Sequence, residues 1–153
     1  MKKLEEPLIN ELRNGCCVPA ITKLAKKLKQ PGSTIHFNIK KMEKEGKIVG
    51  YKAIFDYSKI NRGFTGFALV KLDQRAYHDL GFIDKMAARI VKNPEVESVD
   101  DMTGDWELLV KIRAKDHKEY LEVVKRCLSE EGIVKVHTLV SLKQYKSEYM
   151  VMP

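Results

Sequence analysis

Apolar residues in the first third of the chain recur three and four positions apart, the spacing that brings side chains onto one face of a helix. The pattern occurs in three segments and predicts helices over residues 4–14, 19–28 and 33–45. Between the second and third segments, Pro31-Gly32 predicts a tight turn, because proline disfavours helical continuation and glycine accepts unusual backbone angles. Ser33 is the predicted N-cap of the third helix, and Gly46 is placed to end it.

The third predicted helix has one apolar face and one polar face. Ile35, Ile39 and Met42 fall on one stripe, which predicts that this side packs against the other helices. The turn and the other faces carry cations, hydrogen-bonding groups and an aromatic ring: Lys29, Gln30, Ser33, Thr34, His36, Phe37, Asn38, Lys40, Lys41 and Lys44. Two helices arranged in this way are typical of a helix-turn-helix, whose second helix enters the major groove of DNA.

The side chains on the polar face suit different parts of DNA. Polar groups such as those of Ser33 and Asn38 can donate or accept hydrogen bonds at base edges, and Phe37 can touch a thymine methyl group. The lysines are better placed for phosphates. The alternative is that the lysines only solvate a surface helix and that Phe37 packs against the second helix.

The distribution of charge divides the chain in two. Residues 1–60 carry the whole net charge of +7, and residues 61–153 are neutral. A small domain that concentrates lysine on its helices is suited to a polyanion. We therefore expect residues 1–46 to form a winged-helix-like, helix-turn-helix domain whose partner is double-stranded DNA.

Composition argues against several other classes of protein. No run approaches the roughly 18 apolar residues of a membrane span, and residues 1–6 lack a secretory signal, so we expect a cytoplasmic protein without membrane contact. Cys16, Cys17 and Cys127 have neither metal-site nor redox-pair spacing, which favours reduced structural thiols over a redox switch. The histidines are scattered, at positions 36, 78, 117 and 137. We expect no metal, no cofactor and no catalytic residue.

Residues 47–62 are predicted to connect two domains. The stretch from Lys47 to Phe55 is rich in β-branched and aromatic residues, which predicts a strand, and a turn-like stretch follows it. A strand by itself has unpaired edges, and a second subunit is one source of a partner for them.

Residues 63–153 predict a second domain of α+β class. Strand and helix patterns follow one another in the order strand, helix, strand, strand, helix, strand over residues 64–72, 80–91, 96–102, 106–112, 116–129 and 134–142. This split βαββαβ order predicts a ferredoxin-like sandwich, with a four-stranded antiparallel sheet and both helices on one face. Apolar residues such as Leu139 on the other face predict that two subunits pair through the sheet.

Short motifs are distributed along nearly the whole chain. They are Lys23-Leu24-Ala25-Lys26, Ser33-Thr34-Ile35 through Met42-Glu43 to Gly46, Ile48-x-Gly50-Tyr51-x-Ala53 with Asp56, Phe67-Ala68-Leu69-Val70-Lys71, Thr103-Gly104-Asp105-Trp106-Glu107-Leu108-Leu109, Gly132-Ile133 and Thr138. In their order and spacing they resemble the Lrp/AsnC, or feast/famine, family of transcriptional regulators. The lysine-rich helices resemble archaeal members more than bacterial ones.

The resemblance implies a sequence-specific regulator that binds DNA as a dimer, tetramer or octamer and responds to an amino acid or a related small molecule held between dimers. The family's effector site corresponds here to Thr103, Gly104, Asp105, Glu107, Val136, Thr138, Val140 and Ser141. Backbone amides suit an α-carboxylate, and a carboxylate such as that of Asp105 or Glu107 suits an α-ammonium group. The alternative is that Gly104-Asp105 only forms a tight turn.

Three residues depart from the family pattern. Glu107 stands where Asp is typical, which lengthens any contact with an ammonium group. Asn38 replaces a usual Arg in the recognition helix, and its amide pairs well with adenine. Lys29 replaces the usual Gly at the end of the second helix, so we expect Pro31-Gly32 to shape the turn instead.

Two other functions stay open at this point. An architectural, chromatin-like protein would have the same fold and lysine-rich helices but little sequence preference and no effector. An enzyme similar to the siroheme decarboxylases would need His and Arg around a tetrapyrrole-sized cavity in the second domain, whose histidines are not clustered in the sequence. We therefore expect that the protein is not an enzyme.

Overall fold

Two units make up the chain, Met1–Ile54 and Phe55–Pro153. The computed structural model describes residues 5–13, 17–73, 78–79 and 81–145. Within these ranges, no helix is long and apolar enough to cross a membrane.

The first unit contains the three predicted helices, which are α1 (Glu5–Arg13), α2 (Ile21–Leu28) and α3 (Gly32–Lys44). Positions 4 and 14 of the first prediction lie outside the described residues. α2 begins at Ile21 rather than at position 19, because Ala20 has non-helical backbone angles and forms the N-cap. α2 packs against α3.

The start of α3 differs from the prediction. Ser33 is not the N-cap, because the helix already begins at Gly32 and Pro31 is the capping residue. Pro31 has the extended backbone that this position requires, with φ −58° and ψ 142°. The Ile35 N–H donates to the Pro31 carbonyl at 3.1 Å and closes the first turn. Ser33 therefore lies inside that turn, with its side chain exposed.

Two residues in the left-handed region end α2 and α3. Gly46 has φ +69°, and the Gly46 N–H donates to the Glu43 carbonyl at 3.0 Å, so the predicted stop is confirmed. Lys29 has φ 52° and ψ 43°, and it forms the C-cap of α2. The expectation that Pro31-Gly32 alone shapes the turn is wrong, because Lys29 itself takes the conformation that glycine would take more easily.

The connector strand predicted over residues 47–55 is not formed. Residues 48–56 have no regular structure, and the described part of the first unit contains helices but no strand, so no wing is present there. A strand exists only when another strand bonds to it, and this segment pairs with no strand among the described residues. Instead, the Ala53 N–H donates to the Leu12 carbonyl of α1 at 3.2 Å.

The second unit begins with a 3₁₀ turn at Tyr57–Ile60 and has the predicted βαββαβ order. Its elements are β1 (Phe64–Leu72), α4 (Phe82–Ile90), β2 (Val96–Asp101), β3 (Leu108–Ala114), α5 (His117–Leu128) and β4 (Ile133–Val140). The four strands form an antiparallel sheet in the order β2-β3-β1-β4. The predicted α+β class and four-stranded antiparallel sheet are confirmed.

The core of the second unit lies between one face of the sheet and the two helices. Alternate residues of β1 and β3, such as Val70 and Val110, are fully buried together with Tyr120 of α5 and Ile90 of α4. The Tyr120 hydroxyl donates to the Phe67 carbonyl at 2.8 Å. Its ring lies so close to Gly66 that a Cβ atom there would sit 2.3 Å from a ring carbon. A glycine at this point of β1 therefore lets α5 approach the sheet.

Candidate nucleic-acid interface and small-molecule site

The outward side of α3 contains the predicted DNA-contacting residues in exposed positions. All eight of them on this helix are exposed, and so are Lys29 and Gln30 in the turn before it. The opposite side holds the buried residues Ile35 and Ile39, as the apolar stripe predicted. Phe37 is 69% exposed, so it does not pack against α2.

The three lysines on this side of α3 differ in their surroundings. The Lys40 Nζ lies 2.7 Å from the Glu43 Oε2. The Glu43 Oε1 accepts a hydrogen bond from the Tyr51 hydroxyl at 2.9 Å. These two bonds hold the pKa of Glu43 below its ordinary value. The Lys41 Nζ is 3.9 Å from Glu45.

Lys44 forms no ion pair with any described residue. Exposed ion pairs such as Lys40 with Glu43 contribute little to stability, so a phosphate can replace the carboxylate as the partner of the lysine at small cost. The hydrogen bonds that join Lys40, Glu43 and Tyr51 were not predicted from the sequence. The i, i+3 spacing of Lys40 and Glu43 was the only feature of the sequence that indicated a contact.

One polar side chain of this face is already oriented by the helix. The Asn38 Nδ2 donates to the Thr34 carbonyl at 2.8 Å. A carboxamide has a second N–H and an acceptor oxygen, so this bond uses only part of its capacity.

The predicted effector residues form two groups within one chain. Thr103, Gly104 and Asp105 form an exposed turn between β2 and β3, where Gly104 has φ +111°. Val140 pairs with Gly66 of β1, whereas the Glu107 N–H bonds to the Val70 carbonyl. Gly66 and Val70 are four positions apart in β1, which is about 13 Å at the usual rise per residue. One chain therefore does not bring all eight predicted residues together.

Glu107 lies inside the second unit rather than on its surface. It is 6% exposed, and its carboxylate accepts hydrogen bonds from the Lys71 Nζ at 3.0 Å and from the Leu72 N–H at 2.7 Å. These bonds tie the turn after β2 to the end of β1. A contact of Glu107 with an effector stays a prediction, and Asp105 is the exposed carboxylate of the same turn.

The last strand presents the other predicted effector residues. Val136 and Thr138 lie opposite Val70 and Ala68, on the side of the sheet that faces the helices. The Ser141 N–H donates to the Thr65 carbonyl at 3.0 Å just beyond the end of β4.

The face of the sheet opposite to α4 and α5 is called the outer face. The register places Leu139 beside Phe67, and Leu69 beside Leu109, on this face. Leu139 is 44% exposed. A contiguous apolar surface of this kind usually marks a contact with another protein.

A buried polar network that the sequence did not reveal also lies on the outer face. The Arg113 Nε and the Lys111 Nζ both reach one oxygen of Glu97, at 3.1 and 2.9 Å. Arg113 also donates to the Thr65 hydroxyl at 3.1 Å and lies 3.9 Å from the centre of the Tyr57 ring. Burial raises the pKa of Glu97, but Lys111 and Arg113 outweigh it and hold the pKa below its ordinary value.

The cysteines and histidines do not converge in the described part of the chain. Cys127 is buried, its Sγ lies 2.7 Å from the Val123 carbonyl, and burial raises its pKa, as for an inert thiol. The Cys17 Sγ lies 3.7 Å from the Leu12 carbonyl, and Cys16 falls outside the described residues. No group of three or more His, Cys, Asp and Glu side chains could hold a metal among the residues described.

The architecture defines a class of two-unit α+β proteins in which a basic helical unit precedes a βαββαβ unit. Residues 65–151 match the model of a protein family described as the Lrp/AsnC ligand binding domain. An uncharacterized HTH-type transcriptional regulator of Pyrococcus horikoshii is 33% identical over 150 residues, 97% of each chain. A similar regulator of Pyrococcus abyssi is 35% identical over 147 residues, which are 95% of this chain and 91% of the relative. The chain belongs to the Lrp/AsnC family, and the resemblance inferred from its motifs is confirmed.

Solved structures show the same fold. An AsnC family transcriptional regulator from Agrobacterium tumefaciens has a TM-score of 0.76 and 24% identity, covering 100% of this chain and 97% of its own. A transcriptional regulator of Neisseria meningitidis in complex with L-Met has a TM-score of 0.71 and 23% identity, covering 95% of this chain and 91% of its own.

Proposed function

We propose that the protein is a DNA-binding transcriptional regulator in which α2, the turn at residues 29–31 and α3 form a helix-turn-helix. The observation that carries the proposal is the outward side of α3, where exposed lysines and hydrogen-bonding groups lie opposite a buried apolar stripe. The whole net charge of +7 lies in the same part of the chain, within residues 1–60. Relatives that cover nearly the whole length are named HTH-type transcriptional regulators.

In vitro selection from a library of randomised DNA duplexes tests the proposal. We expect selection to return a common motif, and the protein to bind it at least about 10³-fold more tightly than random DNA at physiological salt. Salt dependence alone is not diagnostic, because phosphate contacts dominate binding to any DNA. Equal affinity for selected and random duplexes would instead favour the architectural, chromatin-like function.

We also propose that the regulator acts as a homodimer or as a tetramer or octamer built from it. The outer face of the sheet supports this proposal, because Leu139, Phe67, Leu69 and Leu109 form an apolar surface on the side of the sheet opposite to α4 and α5. A two-fold dimer would present its α3 helices to successive major grooves, about 34 Å apart on a palindromic site. Footprints with another spacing would contradict this arrangement.

Regulation by an amino acid is the third part of the proposal. The exposed turn at Thr103–Asp105 offers backbone N–H groups for an α-carboxylate and the Asp105 carboxylate for an α-ammonium group. Because one chain does not bring this turn to Val140 and Ser141, the complete site would combine residues from neighbouring copies. The structure with L-Met from Neisseria meningitidis has the same fold, which supports an effector of this chemical class.

A thermal-shift screen of the twenty amino acids tests effector binding. A ligand at about 100 times its dissociation constant raises the free energy of unfolding by about 2.7 kcal/mol. We expect at least one amino acid to raise the melting temperature of the wild type, and Asp105→Asn to abolish the shift. Asp101→Asn, which changes another exposed carboxylate near the same turn, is the matched control. If no amino acid raises the melting temperature, the proposal that an amino acid regulates the protein is wrong, and the proposed DNA-binding function is unaffected.

An enzymatic function has less support. His117 contacts Phe64 and Tyr120 on the helix side of the sheet, whereas His137 lies on the outer face beside Trp106. These histidines do not face one cavity in the way that catalysis on a tetrapyrrole would need. The names of the relatives also favour a regulator over an enzyme.

A further inference from the structure

Four exposed residues of α3 form one row along the helix. Thr34, Phe37, Asn38 and Lys41 are spaced i, i+3, i+4 and i+7, so their side chains share one face. The row begins in the first two turns of the helix, and these are the turns with which a recognition helix contacts base edges. Its chemistry changes along its length, from a hydroxyl through an aromatic ring and an amide to a cation.

Phe37 is an aromatic ring held out in solvent. It is 69% exposed, at the centre of a face that otherwise carries polar groups and lysines. An apolar ring between cations has one counterpart in the major groove, which is the C5-methyl group of thymine. Removing that methyl group from water would stabilise the contact, whereas the major-groove edge of a G·C pair presents no methyl group.

Asn38 is positioned for a base whose edge presents one acceptor and one donor. Its bond to the Thr34 carbonyl at 2.8 Å uses one N–H and restricts the rotation of the side chain. The second N–H and the Oδ1 atom together match the N7 acceptor and the N6 donor of adenine. Guanine presents two acceptors on the same edge, which Asn38 would satisfy only in part.

We propose that α3 selects A·T base pairs: Asn38 forms a bidentate contact with an adenine, and Phe37 packs against the methyl group of a thymine in the same or the adjacent pair. Lys41, at the end of the row, contacts a phosphate and contributes no preference. The proposal rests on the DNA-binding function proposed above and names the bases that this function recognises.

Base analogues in the selected duplex test each contact separately. Deoxyuridine in place of thymine removes only the methyl group, and 7-deazaadenine in place of adenine removes only the N7 acceptor. We expect deoxyuridine at one position to weaken wild-type binding about fourfold, the effect of one buried methyl-sized group. We expect 7-deazaadenine at the same or the adjacent pair to weaken it by roughly five- to a hundredfold.

The variants decide whether these effects belong to the named residues. Phe37→Ala should bind the deoxyuridine and thymine duplexes equally while remaining sensitive to 7-deazaadenine. Asn38→Ala should show the reverse pattern. Phe37→Leu, which keeps an apolar side chain, should keep part of the deoxyuridine effect. Lys41→Ala should weaken binding to selected and random duplexes alike and leave both analogue effects unchanged.

The outcomes separate this inference from the function on which it rests. The three substituted side chains are exposed, so circular dichroism should show wild-type helix content in every variant. A selection that returns no motif would overturn both the regulator function and the base assignment. A motif without A·T pairs at the positions under α3, or analogue effects that persist in Phe37→Ala and Asn38→Ala, would overturn the base assignment alone.

Discussion

Single residues in this protein hold conformations and charges that their neighbours impose on them. Lys29 takes a left-handed backbone at the end of α2, although it has a Cβ atom that disfavours this region by roughly 1–2 kcal/mol. Glu97 stays ionised in a half-buried position because Lys111 and Arg113 both contact it. A substitution at Lys29 tests the backbone strain, and a substitution at Glu97 tests the stabilisation by its ion pairs.

Replacing Lys29 with glycine should stabilise the first unit. Glycine removes the backbone strain at φ 52°. Part of this gain is offset, because glycine loses more conformational entropy than lysine when the chain folds. The free energy of unfolding should therefore rise by about 0.5–1 kcal/mol. Lys27→Gly, inside α2, is the matched control and should lower it by about the same amount. Urea unfolding measures both variants. A loss of stability in Lys29→Gly would show that the lysine side chain contributes more than the strain costs.

Glu97→Gln should destabilise the second unit in a pH-dependent way. The pKa of Glu97 lies below its ordinary value of 4.5, so the contribution of the carboxylate is complete above pH 4.5 and is lost as pH falls through the lower, folded pKa. At pH 7 we expect the substitution to cost about 1–3 kcal/mol, because two cations lose their charged partner. Unfolding by urea at a series of pH values measures this difference.

The difference between the wild type and Glu97→Gln should be constant from neutral pH down to pH 5 and then shrink. Glu130→Gln, which removes an exposed ion pair with Arg89, should change the stability by less than about 1 kcal/mol at any pH. A difference for Glu97→Gln that grows as the pH is lowered would contradict the assigned direction of the pKa shift.

At the scale of elements, α3 carries both the packing and the chemistry of the first unit. Its buried face packs against α2. The lysines on its exposed face differ in ion pairing, because Lys40 lies 2.7 Å from Glu43, whereas Lys44 has no ion pair among the described residues. A contact with phosphate depends on charge and carries no information about sequence. The lysines should therefore affect affinity without affecting preference.

Lys40→Ala should weaken binding to selected duplexes as much as it weakens binding to random duplexes. The same should hold for Lys44→Ala. Each loss should reduce the slope of log affinity against log salt by about 1. We expect the larger loss for Lys44→Ala, since Glu43 already neutralises part of the charge of Lys40. Lys118→Ala, which removes an exposed lysine from the second unit, is the control and should change nothing. A change of sequence preference in Lys40→Ala would mean that its side chain contacts bases.

At the scale of the whole molecule, α4 and α5 cover only one of the two faces of the sheet. One side of the sheet is covered by α4 and α5, and the other leaves Leu139 and its neighbours partly exposed. A sheet in water needs only one covered face, so apolar residues on both faces indicate that another surface covers the second one. In the proposed assembly, that surface belongs to a second copy of the chain.

Leu139→Arg should dissociate the assembly. The substitution places a charge in the apolar surface at a position that is already 44% exposed, so the fold of the single chain should tolerate it. Val134→Arg, on the same strand at a position 66% exposed, is the matched control, because Val134 lies at the bulge of the β1–β4 pair and has no partner in the register of the apolar surface. Sedimentation should give Leu139→Arg the mass of one chain, 17.6 kDa, and leave Val134→Arg assembled. An assembled Leu139→Arg would place the subunit contact elsewhere.

The elements and the class of the fold could be predicted from the chain because they depend on local periodicity. The stripe containing Ile35 and Ile39 placed α3 and its buried side, and the alternation in residues 64–72 placed β1 with the same bounds as the structure. The connector strand over residues 47–55 failed for the opposite reason. Its composition favours a strand, but strand formation depends on a partner that is distant in sequence or on another chain.

The sequence alone determined which residues alternate, where turns interrupt them and where the positive charge lies, since each of these depends on neighbours a few positions away. Only the tertiary structure decided that Glu107 faces inward to Lys71 and Leu72 and that Glu97 joins Arg113. Such contacts depend on which hydrogen-bonding groups packing leaves within about 3 Å of each other. That distance is set by the fold as a whole, and no local pattern encodes it.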